Sequence, residues 1–220
     1  MQRSGWAIEG LIGALLVGGV ALGAPWPLKL AVAYLHEGSH AIAALVTGGQ
    51  VLELTVNLGG DGHTLTQGGW QLAILNAGYL APMLFGAILV ALSSGTTASR
   101  VGCLVGALTF APLALVEDPR IIAPAVATAG LCVWLATRRP PRGARRGCRV
   151  LGLLVLVVAC LDIIGDYAGD GTTHDTALLT ATTGIPEPVW IAGWIATAVV
   201  AVYGLSKKDD TDSISDASTR

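Results

Sequence analysis

The sequence predicts an all-α polytopic membrane protein of six to seven transmembrane helices, with a small β-hairpin insert. Three observations carry that expectation. First, 53% of the 220 residues are hydrophobic and 13% are charged, against about 25% charged in a soluble domain. Second, mean hydropathy is +0.65. Third, aromatics are only 5% and Gly numbers 29, and such small residues let helices approach closely in lipid. A water-soluble globular domain, a disulfide scaffold, a coiled coil and a disordered chain are excluded. The net charge of −2 offers no field for nucleic acid. Cys103, Cys132, Cys148 and Cys160 show no CxxC spacing. Three of them lie in apolar stretches, where a Cys acts as a small hydrophobe.

A helix that crosses the hydrocarbon core needs about 20 apolar residues. The first candidate covers 6–24 and is interrupted by Glu9. Another apolar run follows at once, so it reads as a retained span rather than a signal peptide. The second covers 26–46 and ends at Thr47-Gly48-Gly49, with Gly as the expected terminator. Residues 51–58 partly alternate apolar and polar, Gly59 to Gly62 form a turn, and 63–66 return. That pattern predicts a hairpin over 51–66. Alone it would be marginal in water, so it is expected to lean on the helices. Further spans are predicted at 70–92, 101–116, 121–137, 150–165 and 188–205. The membrane domain then covers 1–206, and 207–220 reads as a disordered tail.

Lys and Arg in short loops set orientation. Arg138, Arg139, Arg142, Arg145, Arg146 and Arg149 place the 138–149 loop in the cytoplasm. Counting spans outward puts Lys29, Arg100 and the C-terminal tail on the same side. The segment before Trp70 and the polar stretch 166–183 fall outside. Arg3 and Arg120 dissent as isolated residues. The expected location is the cell membrane, as a multi-pass protein.

His36-Glu37-Gly38-Ser39-His40 lies inside the second span. Two His four apart share a helix face, so both imidazoles reach one ion. Zinc lowers the pKa of its bound water to about 7. Glu37, beside the first His, is placed to accept the proton of that water and pass it to a leaving amine. At this chain's His and Glu frequencies the pattern arises by chance about 0.002 times. An ionised residue at mid-span also costs about 2.5–3.5 kcal/mol. A metal in a water-filled cavity explains three ionisable residues in five better than a bare polar face does.

A zinc site of this kind needs a third protein ligand, and the candidates are His63, Asp162, Asp166, Asp170, His174 and Asp175. At 1.5 Å per residue, His36 and His40 lie roughly 15 and roughly 21 Å into their span. Asp162 lies roughly 18 Å into its own. That depth makes Asp162 the leading candidate. Asp166 is one turn further out, and Asp175 would reach the site only if the outer segment folds inward.

The run from His36 through Gly49 resembles the M50 group of intramembrane metalloproteases, the site-2 protease relatives, and within it the M50B-like bacterial branch. The likeness extends through the Gly-rich hairpin to Asn76-Ala77-Gly78-Tyr79-Leu80-Ala81-Pro82. It resumes at Leu161-Asp162 and from His174 through Pro186 to Trp190. The resemblance implies a Zn²⁺ enzyme that cuts membrane-embedded protein substrates, with His36 and His40 as ligands and Glu37 as the catalytic residue. It implies an Asp as third ligand, usually in a Leu-Asp-Gly motif. Here Ile163 follows Leu161-Asp162. It further implies that the hairpin holds an extended substrate, for which edge pairing is the physical mode.

Other polar residues have simpler readings. Asn76 suits a helix–helix hydrogen bond better than an oxyanion contact. His63 reads as a solvated turn residue, and Glu9 either lines a water path or snorkels toward an interface. The basic loop is a topology determinant that could also touch anionic lipid. The expected partners are a membrane protein or transmembrane peptide substrate and the bilayer, with no nucleic acid. The oligomeric state is open. A different class, a non-proteolytic membrane transporter or metal-binding scaffold, would need polar residues spread along several spans and paired halves. Neither is visible.

Overall fold

The computed structural model describes residues 27–57, 59–93, 95–110, 119–137, 142–169 and 174–218. The expected span at 6–24, with Glu9, and Asp170 lie outside the described residues, as do the last residues of the span expected at 101–116. Among the described residues are seven helices and one two-stranded sheet. In chain order they are α1 (Pro27–Val46), β1 (Gln50–Val56), β2 (Gly62–Gln67), α2 (Gln71–Leu92) and α3 (Thr96–Phe110). Then come α4 (Pro119–Thr137), α5 (Arg142–Ala168), α6 (Asp175–Thr183) and α7 (Glu187–Ser218).

Gly48 ends α1 in the left-handed region at φ +84°. Its N–H reaches Leu45 O at 3.2 Å and the Gly49 N–H reaches Ala44 O at 2.8 Å, the paired bonds that close a helix C-terminus. β1 and β2 pair antiparallel, with an irregularity between Val51 and Glu53. The hairpin, expected to lean on the helices, runs back along α1. At its base, Thr47 Oγ1 accepts the Trp70 N–H at 2.9 Å. At its tip, Lys29 Nζ donates to Gly59 O at 2.8 Å and lies 3.6 Å from Asp61. Lys29 and Thr47 are separated by roughly 27 Å of helix, so the hairpin covers nearly the whole length of α1.

Two helices are long and apolar enough to cross a membrane, Gln71–Leu92 and Gly143–Ala168. Asp175–Thr183 and Glu187–Tyr203 make a third if the pair, bent by 116°, is one span. Among the described residues, two or three of the six to seven expected spans meet that length and apolarity. Pro27–Val46 does form a helix, but the polar cluster of the HExxH motif interrupts its apolar character.

Two boundaries differ from expectation. The helix expected at 150–165 begins at Arg142, so most of the basic loop is helical. Arg145 Nε donates to Ser93 O at 3.1 Å and Arg149 Nε to Ser93 Oγ at 3.2 Å. Cations at the carbonyl end of α2 are favourable, and that contact draws the basic turns into α5. The tail expected to be disordered continues α7 as helix to Ser218. Extending an existing helix needs no new nucleus.

The core joins α1, α2, α5, α6 and α7 through buried residues such as Val32, Met83, Val158, Leu179 and Trp194. α2 and α5 cross with backbone close to backbone. A Cβ at Gly152 would lie 2.6 Å from Gly86 O, and a Cβ at Gly86 would lie 2.8 Å from Gly152 O. Only glycines allow those backbones to touch.

Candidate metal centre

The four-residue spacing puts His36 and His40 on one face of α1, with ring centroids 4.7 Å apart. His40 is buried, and its Nδ1 lies 2.7 Å from the main-chain oxygen of Ile74 on α2. A carbonyl only accepts, so Nδ1 carries a proton, and whenever the ring is neutral its lone pair lies on Nε2. The His36 ring rests edge-on against Tyr79, at 4.6 Å between centroids. The Tyr79 hydroxyl donates to Asp166.

The third group at this face is Asp175, in the first turn of α6. Its Oδ2 is 3.1 Å from Nε2 of His36 and 3.1 Å from Nε2 of His40. That oxygen is buried and makes no hydrogen bond. His36, His40 and Asp175 form a cluster whose ligand atoms all lie within 4.8 Å of one another. Donors around a tetrahedral zinc ion, each about 2.0–2.1 Å away, sit about 3.3 Å apart. The spacing, the two imidazoles and the orphaned carboxylate oxygen fit Zn²⁺.

Asp162 was the leading candidate for the third ligand. The structure places it on the α5 wall of the same cavity, outside this cluster. The Lys/Arg bias and the span count place the 166–183 segment outside. In the structure α6 packs inward against α2, and the sharp bend before α7 returns the chain. That fold carries Asp175 to the histidines. Asp166 is engaged by Tyr79. His174 lies 3.7 Å from Glu187 and, with His63, lines the cavity without joining the cluster.

Glu37 is buried next to the pair. Its Oε2 accepts a hydrogen bond from Thr64 Oγ1 of β2 at 2.6 Å. The cavity, about 820 Å³, is lined by His36, Glu37, His40 and Asp175 and by β2 residues from Gly62 to Thr66. Asn76 has no part in it. Its Oδ1 accepts from Trp194 Nε1 at 3.1 Å and its Nδ2 donates to Leu72 O at 2.8 Å, the helix–helix bond expected of it.

Sequence reasoning missed Gly78. A Cβ there would lie 2.6 Å from Asp175 Oδ2 and 2.6 Å from His40 Nε2. α6 and α1 meet across α2 because that position has no side chain. The signal was the patch around Asn76 and Gly78 that carried part of the family likeness. It also missed Thr64, whose relation to Glu37 is purely tertiary.

No match was found among curated proteins or among solved structures. The family profile described as Peptidase M50B-like matches residues 8–205. That match spans nearly the whole chain and takes in the HExxH helix, Asp175 and the apolar helices, so the chain is a membrane protein that belongs to the M50B-like peptidase family.

Proposed function

We propose that the chain is a zinc-dependent endopeptidase that cuts membrane-embedded protein substrates. One observation carries the reading: Asp175 Oδ2 meets both histidine Nε2 atoms at 3.1 Å beside the buried Glu37. His36, His40 and Asp175 would hold the metal, with Asp175 replacing Asp162 as the third ligand. Zinc bound there would supply Lewis-acid activation of a water and of the scissile carbonyl.

The rest is done by the chain's own side chains. Glu37 takes the proton of the attacking water and returns it to the leaving amine. The Ile74 carbonyl keeps His40 in the tautomer whose Nε2 is free to bind. Tyr79 braces the His36 ring. The substrate enters as an extended segment along β2. That strand lines the cavity, and among the described residues it pairs with β1 alone, leaving its other edge for a substrate strand.

The reading extends to topology. The protein is a multi-pass protein of the cell membrane, with six or seven spans and with the 138–149 segment and the C-terminal tail in the cytoplasm. A β-hairpin at membrane depth keeps its backbone satisfied only against protein or a wet cavity. The hairpin packs along α1 and lines the cavity together with it, which supports that placement.

The test compares membrane proteomes of cells that carry the wild-type chain with those that carry Glu37→Gln. A substrate should persist at full length in the variant and appear as fragments in the wild type. Identical proteomes, with zinc bound in both proteins, would favour the metal-binding scaffold.

A further inference from the structure

We propose that Thr64 is a positioning residue for Glu37, so that the hairpin sets the orientation of the general base. The inference rests on the endopeptidase reading and deepens it.

The Thr64 hydroxyl has one proton and two possible acceptors on the same residue. Glu37 Oε2 lies at 2.6 Å and the Glu37 main-chain oxygen at 3.1 Å. The carboxylate oxygen is nearer and charged, so it accepts the hydrogen bond. Ionised, it can only accept, and the bond fixes which oxygen is engaged. Oε1 is then the oxygen that Thr64 does not hold.

Gly62 completes the seat. It stands two residues before Thr64 on β2, so both meet α1 on one face of the strand. A Cβ at Gly62 would overlap Glu37 Cγ and would lie 2.5 Å from Oε1 and 2.7 Å from Cδ. The strand backbone thus lies directly on the Glu37 side chain, and a larger residue would displace the carboxylate.

The seat is held from both ends. Lys29 anchors the hairpin tip through Gly59 O and Asp61. Thr47 anchors its base through the Trp70 N–H. A strand pinned along α1 holds one χ geometry of Glu37, and a substrate pairing with that strand would be aligned to the base by the same element. Misplacement of a reacting group by about 1 Å can cost about 100-fold in rate.

The experiment uses the full chain, zinc-loaded in detergent micelles, with a fluorescein-labelled transmembrane peptide as probe. Wild type, Glu37→Gln, Thr64→Val and Thr64→Ser are compared for kcat, KM, zinc content and melting temperature. Thr64→Val keeps the shape and removes the donor. Its kcat should fall about 10–100-fold, the effect of losing a hydrogen bond to a charged group. KM and zinc content should be unchanged, and Thr64→Ser should restore kcat to within about threefold. An active Thr64→Val beside a dead Glu37→Gln overturns the positioning role alone. So does a serine variant as slow as the valine one, or a rise in kcat on removing the hydroxyl. No cleavage by the zinc-loaded wild type overturns the endopeptidase reading, and this role with it.

Discussion

His40 Nδ1 sits 2.7 Å from the carbonyl oxygen of Ile74, and this contact decides what its other nitrogen can do. Nε2, which carries the lone pair when the ring is neutral, faces Asp175 Oδ2 at 3.1 Å. Two electron-rich atoms at that distance call for a cation between them or a proton on the ring. Since the His36 Nε2 meets the same oxygen, a shared metal satisfies all three donors at once. Asp175→Ala should therefore lose bound zinc, measured by elemental analysis of the purified protein. Asp162→Ala should keep it, because that carboxylate stands on the α5 wall outside the cluster. The reverse result would return the third-ligand role to Asp162.

Glu37→Gln separates chemistry from metal binding. Gln keeps the volume and can still meet Thr64, but it cannot take a proton. General base catalysis contributes about 10²–10⁴-fold, and a fall in kcat of that size is expected at unchanged zinc stoichiometry. The check is single-turnover cleavage beside elemental analysis. Full activity in this variant would remove Glu37 from the mechanism.

Gly78→Ala probes how the centre is assembled. The added methyl would lie 2.6 Å from both Asp175 Oδ2 and His40 Nε2. One of the two ligands must move. Disturbing the immediate support of a metal ligand costs about 10–100-fold in affinity. Competition with a coloured chelator should show a loss in that range, while the helix content by circular dichroism stays at the wild-type level.

These residues show what the sequence could and could not disclose. The HExxH pair is local: four residues on one helix bring two imidazoles to one face without help from the rest of the chain. The end of α1 at Gly48 and the hairpin are local too, carried by a left-handed glycine and by short-range alternation. Asp175 was visible only as one candidate among several. The stretch before it is polar and reads as an outer segment, and only the packing of α6 against α2 turns it inward. Thr64 meets Glu37 through the lie of the hairpin along α1, which no spacing along the chain encodes. The basic residues after Arg138 read as a loop because their contacts with Ser93 are also tertiary.

The same distinction predicts opposite outcomes for two glycines of one helix. Gly152 faces α2, and a Cβ there would lie 2.6 Å from Gly86 O, 2.8 Å from Val90 N and 2.9 Å from Leu89 Cβ. Two of those neighbours are backbone atoms, which cannot rotate away. Gly152→Ala should force α2 and α5 apart and cost about 1–3 kcal/mol, as overpacking typically does. Gly165, further along α5, has nothing within 4 Å of an added Cβ. Gly165→Ala should be neutral or stabilising by up to about 1 kcal/mol, since Ala is the better helix former. Thermal unfolding of both variants in the same detergent gives the comparison. The shift of α2 in Gly152→Ala should also weaken zinc binding, because Ile74 and Gly78 ride on that helix. A Gly152→Ala protein as stable as Gly165→Ala would mean that the α2–α5 contact is looser than the backbone approach at Gly86 indicates.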